Sequence, residues 1–286
     1  MKTLVLANQK GGVGKSAIGC QLSFYLAQAG LRVLNIDLDH QMNSSRPLAL
    51  SGRAAVAGFS SMALLEGRSG ALPDHAFVSV PGDDLLSTIE RKPDRHNDFV
   101  NSLRKFLLSV GGAFDVCVID TNPNPDIRYA AALITADFLL SPIELNQEAI
   151  DGIGGLLNHS RYGYNKIKRV LNAKLDLIGI LPNLVEPTPF QKANFGQLVA
   201  TYSSLLISQR GGPAGKFAFI PTRTAIAEAQ AAGVPLWMLR QVLPPNQIGK
   251  VAPESMPVRT AARDAWRSVK PTFDTIAHRM GLGVTP

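Results

Sequence analysis

The stretch TLVLANQKGGVGKSAIGCQLSFYLAQAG, residues 3–30, confines the fold more than any other part of the chain. TLVLAN (3–8) is an apolar run of strand length. SAIGCQLSFYLAQAG (16–30) carries apolar side chains at helical spacing, with Ile18, Leu22, Tyr25, Leu26 and Ala29 on one face and Gly30 as a stop. A strand that turns through glycines straight into a helix commits the chain to an α/β layer architecture. Glycines 11, 12 and 14 let successive backbone N–H groups converge where Cβ atoms would obstruct them, and the helix start adds its positive end. Such a turn cradles phosphate. Lys15 is placed to reach the β- and γ-phosphates of a nucleotide, and the Ser16 hydroxyl to coordinate Mg²⁺.

The same alternation runs on through the chain. RVLNID (32–37), FDVCVID (114–120), FLLSPI (138–143), DLIGILPN (176–183) and KFAFIP (216–221) read as strands separated by helical patterns. The expected fold is therefore a mostly parallel twisted sheet with helices on both faces. Residues 44–100, rich in Ser, Gly, Ala and Pro, read as variable helix-and-loop structure within the same domain. Residues 260–280 are helical by pattern but carry Pro271, which predicts two short helices or one kinked one. The division expected is a nucleotide-binding domain over 1–240 and a helical extension over 241–286 packed on it. With 286 residues the chain is long enough for a large core. No apolar run approaches the roughly 20 residues of a membrane span. Met1 leads almost at once into the first strand, so no signal peptide is expected. Cys20 and Cys117 lie in apolar stretches and read as core residues of a protein in a reducing cytoplasm.

Measured against the usual phosphate-loop pattern G-x-x-x-x-G-K-[ST], the first glycine is missing: that position is Gln9, and a second lysine, Lys10, precedes Gly11. KGGVGKS resembles the deviant Walker A motif, K-G-G-x-G-K-[ST], of the ParA/MinD family of P-loop ATPases. The resemblance implies a P-loop NTPase of the SIMIBI type that binds ATP and Mg²⁺ along Gly11, Gly12, Val13, Gly14, Lys15, Ser16 and Ala17. In that family the lysine matched by Lys10 reaches the partner subunit's nucleotide across a dimer, where a second cation stabilises developing charge. NIDLDHQMNSS (35–45) looks like the family's D-x-D-P-Q-G-N stretch. By that likeness Asp39 positions the attacking water and contributes to the Mg²⁺ site, with Asp37 in support. His40 stands where proline is usual and Met42 where glycine is. FDVCVIDTNPNP (114–125) matches a Walker B strand ending in Asp120, whose carboxylate would hold Mg²⁺. There Asn122 replaces the first proline of the usual D-x-P-P. LPNLVEP (181–187) is similar to the segment whose asparagine, here Asn183, hydrogen-bonds adenine. IPTRTAIAEAQAAGVPL (220–236) is similar to the family's base-covering segment, making Pro221 and Thr222 wall residues.

The net charge of +7 is unevenly spread: residues 1–150 hold 13 basic and 15 acidic side chains, residues 151–286 hold 16 and 7. A basic half favours a polyanionic partner. Lys166, Lys168, Arg169, Arg223, Arg240, Lys250, Arg259, Arg263, Arg267 and Lys270 are the candidate contacts to duplex DNA. The small ParA proteins carry I-P-R-N-V-R where this chain has I-P-T-R-T-A, leaving only Arg223, one position shifted. The reading is a weakly hydrolysing ATPase that dimerises on ATP, binds DNA non-specifically on the nucleoid, and is released when a ParB-type, cargo-bound adaptor stimulates hydrolysis. No stable membrane association is expected. Two other readings are a membrane-associated positioning ATPase of the MinD type and a biosynthetic ATP-dependent ligase on the same fold. The first would need the stripe of Trp266, Phe273, Ile276 and Met280 for lipid, and the second lacks any further catalytic constellation.

Overall fold

The computed structural model describes residues 1–213, 215–241 and 256–284. Seven strands form one sheet: β1 (Lys2–Leu6), β2 (Val33–Asp37), β3 (Ala55–Val56), β4 (Phe77–Val80), β5 (Val116–Asp120), β6 (Phe138–Glu144) and β7 (Asp176–Asn183). Their order is β3-β4-β2-β5-β1-β6-β7, and every pair is parallel. β1 is a central strand at which the order reverses, so loops leaving its neighbours part to opposite sides and open a crevice at the strand ends.

The helices are α1 (Lys15–Gln28), α2 (Ser45–Leu50), α3 (Ser61–Leu65), α4 (His96–Val110), α5 (Ile127–Thr135), α6 (Gln147–Asn158), α7 (Tyr164–Val170), α8 (Pro189–Tyr202), α9 (Thr224–Ala232) and α10 (Thr260–Arg279). They cover both faces of the sheet, and the period of two along β1 sorts its side chains between them. Val5 packs with Ile36, Val80, Phe99, Leu103 and Tyr129, under α4 and α5. Leu4 and Leu6 pack with Leu22, Leu26, Val118, Phe273 and Ile276, under α1 and α10. A third cluster joins β6 to α6 and α8 through Ile143, Ile150, Ile153 and Leu198.

Helix α1 lies between the sheet and the later helices, which is why residues Ile18 to Leu26 are buried all round rather than along one face, while Ala29 is exposed. Helix α10 is single and carries Pro271 inside it. The carbonyl deprived of its partner by that proline belongs to Arg267, an exposed residue that water can serve. Trp266 packs against Trp237 with ring centroids 4.5 Å apart and planes tilted by 48°, and lies 5.8 Å from the Tyr25 ring.

Two expectations need correcting. Residues 44–100 are not only helix and loop, for they contain the edge strand β3 and its neighbour β4. β4 is the four-residue run FVSV, buried throughout, and its Ser79 interrupts the apolar pattern that would have revealed it. KFAFIP is not a strand of the sheet: its contacts are single bridges, Phe217 to Ser208 and Pro221 to Val185.

Candidate functional site

The register of the sheet assembles the site. Leu6 and Asp37 both pair with Asp120, so β1, β2 and β5 end level, and the three loops that follow them meet. The loop after β1 enters α1 through Gly14, which caps the helix with a left-handed φ of 85°. A side chain there would suffer twice, because a Cβ would also stand 2.2 Å from the Asn183 amide nitrogen. That amide donates to the Val13 carbonyl at 2.8 Å, tying the end of β7 to the floor of the loop. Asn8 accepts from the Lys10 N–H at 2.8 Å and donates to the Pro142 carbonyl at 2.9 Å. Gln9, at the position of the missing glycine, donates to the Gly155 carbonyl of α6 at 3.3 Å. A side chain at position 9 thus braces the loop against a helix, where a glycine would leave it unsupported.

Two cavities flank this loop, each of about 310 Å³, and they share Gly12, Gly14 and Ala17. The first is polar and is lined also by Gly11, Lys15, Ser16, Asp39, Gln41, Asn43, Thr121, Pro123 and Gln230. The second is largely apolar and runs along Ile18, Asn183, Leu184, Ile220, Thr222, Arg223 and Ile226 to Phe273. A polar cradle joined to a slot with apolar walls has the shape of a nucleotide. Thr222 lines the slot with a buried hydroxyl that has no partner, whereas Pro221 lines a neighbouring cavity with Phe195 and Phe219.

The polar cavity concentrates charge. The Lys15 side chain is buried, and its Nζ donates to the Lys10 carbonyl at 3.1 Å. Burial pulls its ammonium below the ordinary range, while Asp120 and Asp39 pull the other way. Asp120 is fully buried, and among the described residues neither carboxylate oxygen has a hydrogen-bond partner. Burial first, and then the nearby Asp37, push it up to about 7, against the pull of the Ser16 hydroxyl and Lys15. Two orphaned carboxylate oxygens in the interior call for a cation or a proton.

Asp37 is occupied differently. One oxygen accepts from the Asp39 N–H at 2.9 Å, and the other from the Ser45 N–H and hydroxyl at 2.9 and 2.8 Å and the Ser44 N–H at 3.3 Å. Burial raises it, and these donors resist. It folds the loop after β2 so that Asp39 lines the cavity. Asp39 accepts from the Gln41 N–H at 3.0 Å through Oδ1. Behind this loop stands Gly82, where a Cβ would meet the Asp39 carbonyl at 2.4 Å.

The residues present fit Mg²⁺. Ser16 and Asp39 line the polar cavity, and the buried Asp120 carboxylate lies behind it, close to both; all three are hard oxygen donors. Among the described residues no three His, Cys, Asp or Glu side chains converge to hold a metal unaided. A divalent ion here would complete its shell with phosphate and water oxygens, which is the usual habit of Mg²⁺.

Lys10 lines neither cavity. Its ammonium bonds Glu148 at 2.7 Å and Asn146 at 3.3 Å, both at the start of α6. Of the basic candidates, Lys166, Arg169, Arg223 and Arg263 are exposed without an ion pair among the described residues, and Lys168 pairs with Asp176. Arg259 pairs with Glu228, Arg267 with Asp264 and Lys270 with Asp274, while Arg240 donates to the Met256 carbonyl. Lys250 lies outside the described residues. Thr121, Gln230 and Gly82 were missed in the sequence. Thr121 follows Asp120 directly and Gln230 falls within the 220–236 segment, so both were within reach of the motifs, but nothing in the sequence ties Gly82 to a loop some 40 residues away.

Fold and site together define a P-loop nucleotide-binding protein of the α/β class. The family model described as AAA domain matches residues 1–177. Protein IncC of Escherichia coli is 32% identical, over 99% of this chain and 71% of its own length. The chromosome-partitioning ATPase Soj of Treponema pallidum is 28% identical, over 82% of this chain and 88% of its own. In fold the chain is similar to a McdA variant from Cyanothece solved with ATP, with a TM-score of 0.72 at 20% identity, covering 100% of this chain and 98% of that one. The chain belongs to the ParA/MinD family of P-loop ATPases.

Proposed function

We propose that the chain is a partition ATPase: a switch that pairs when it holds ATP, binds duplex DNA without sequence preference in that state, and lets go after hydrolysis. The observation that carries this reading is the position of Lys10. A lysine needed by its own nucleotide would be expected in the phosphate cavity, beside Lys15. Instead its ammonium lies out at the start of α6, on the loop's outer side. That placement suits a group meant for the partner's phosphates and unsuited to its own. The names of relatives such as Soj supply the biological direction.

In this reading the N–H groups of the Gly11–Ser16 turn and the Lys15 ammonium bind the phosphates, and the apolar slot holds the base beside Asn183 and Thr222. Asn183 keeps Oδ1 available for an adenine amino group, since its amide nitrogen is committed to Val13. Mg²⁺, when bound at Asp120, Ser16 and the phosphates, would offset the phosphate charge. Asp39 orients the attacking water and accepts its proton. Asp37 holds the Asp39 loop in place. Lys10 of one protomer adds positive charge to the other's phosphates. The domain limits that follow are 1–240 for the ATPase and 241–286 for a helical extension.

DNA rather than membrane is favoured by two features. The excess of basic residues falls in the second half of the chain. The apolar stripe on which lipid binding would depend, Phe273, Ile276 and Met280, is buried against α1. We place the protein on the nucleoid in the cytoplasm, with an adaptor of the ParB type as the partner that stimulates hydrolysis. Light scattering with a slowly hydrolysed ATP analogue tests the pairing: wild type should double in mass and Lys10→Ala should not, while both bind nucleotide. Pairing by Lys10→Ala equal to wild type would remove that residue's role.

A further inference from the structure

Gln230, near the end of α9, lines the phosphate cavity and reaches the loop that follows β2. Its Nε2 donates to the Asn43 carbonyl at 2.8 Å and stands 3.4 Å from the Cys20 sulfur. The Cys20 thiol gives its own proton to the Ser44 carbonyl at 3.3 Å, so its sulfur is left to accept. Both neighbours of the amide nitrogen are therefore acceptors, which fixes which end of the amide faces the loop. Oε1 is left buried and, among the described residues, without a partner. Packing between α1 and α9 alone would not require that arrangement.

From Gln230 the contacts run to Asp39 with donor and acceptor matched at every step. Gln230 holds the Asn43 carbonyl, Asn43 Nδ2 donates to Gln41 Oε1 at 3.0 Å, and the Gln41 N–H donates to Asp39 Oδ1 at 3.0 Å. The Met42 N–H closes a turn on the Asp39 carbonyl at 3.1 Å. The peptide between Asn43 and Ser44 is held from both sides, its carbonyl by Gln230 and its N–H by Asp37 at 3.3 Å. Just before it, Met42 adopts a left-handed φ of 58°, which a side chain disfavours. A loop bent against its own preference needs holding from outside. Here the hold comes from α9, whose Ile226 and Ala227 also line the apolar slot. We propose that Gln230 is a positioning residue for ATP hydrolysis: by holding the Asn43 carbonyl it keeps the loop folded with Asp39 on the phosphate cavity. The proposal rests on the reading of Asp39 as the group that orients water.

The test removes the donor and leaves the packing. Gln230→Met keeps the length and bulk of the side chain but has nothing to donate. It should lower kcat for ATP about three- to tenfold, the effect of one hydrogen bond, with KM within about twofold of wild type. Met42→Gly relieves the left-handed residue, so the loop no longer depends on the hold. In the Met42→Gly background the same Gln230→Met change should cost less than about twofold in kcat. Three results would each overturn the proposal: wild-type kcat in Gln230→Met, a loss that falls on KM, or an equal loss with and without Met42→Gly. A loss in KM would put Gln230 against the nucleotide itself, and an equal loss would make it a packing residue. Asp39→Asn, assayed alongside, separates the layers. If Asp39→Asn hydrolyses at the wild-type rate, the role of Asp39 itself fails. If Asp39→Asn is inactive while Gln230→Met turns over normally, the positioning role alone fails.

Discussion

The two orphaned oxygens of Asp120 make the stability of the ligand-free protein sensitive to pH in a direction that can be worked out. Folding raises this carboxyl from its ordinary value of about 3.9 to about 7, chiefly by burial. Between those two values the folded protein holds a proton that the unfolded chain has released. Stability therefore falls as pH rises through the window from about 4 to about 7. From pH 5 to pH 8 the integrated loss is about 2.6 kcal/mol, or roughly 4–5 °C of melting temperature for a chain of this size. Asp120→Asn keeps the shape and the buried polar atoms but cannot ionise, so it should lose this share of the slope, while Asp37, also raised by burial, keeps its own in both proteins. Lys15 cannot imitate the effect, because a lysine whose value is lowered by folding gives stability that rises with pH. The assay is thermal unfolding of the ligand-free protein at half-unit pH steps, wild type against Asp120→Asn. The difference in melting temperature should widen in favour of the variant up to about pH 8. Saturating Mg²⁺ and ATP should shrink it, since a cation replaces the proton. Parallel curves for the two proteins would refute the assignment of an unpaired, proton-holding carboxylate at the end of β5.

Other outcomes follow from the same geometry. Lys15→Ala should abolish nucleotide binding in a fluorescent-ATP titration, whereas Lys10→Ala should bind within a few fold of wild type, because only Lys15 lines the phosphate cavity. Asp37→Asn should lower stability by about 2–4 kcal/mol in urea unfolding, since an amide cannot serve donors on both sides of the carboxylate. Gly82→Ala should reduce kcat at least tenfold while the far-ultraviolet circular dichroism stays native, because its Cβ has to displace the backbone at Asp39.

Much of this molecule was legible in its sequence, and the parts that were not share a cause. The inner strands announce themselves as apolar runs because parallel strands covered on both faces have no polar side to show. VLNID and VCVID are buried throughout, with only Asn35 breaking the apolar run in the first. The phosphate loop is legible because its chemistry is local: glycines, Lys15 and Ser16 act within one turn. β4 escaped because four residues, one of them serine, make no pattern against the background of 44–100. KFAFIP deceived in the other direction, since an apolar run of strand length was available but the sheet already ended at β7. The same limit applies to the site. Gly82 and Gln230 matter through what they face across the fold, and residue type alone carries no such signal. Asp37 and Asp39, two positions apart, illustrate the point: identical side chains, one consumed by four donors and one left to line a cavity.

The central claim is that nucleotide state decides whether this protein holds DNA. The direct measurement is binding to an arbitrary labelled duplex with ATP, with ADP and with neither, at several salt concentrations. The account predicts tight binding only with ATP and affinity that falls steeply and linearly on logarithmic axes as salt rises. It also predicts equal affinity for unrelated sequences and no binding by Lys10→Ala. Binding that is indifferent to nucleotide, or absent with ATP at low salt, would contradict it.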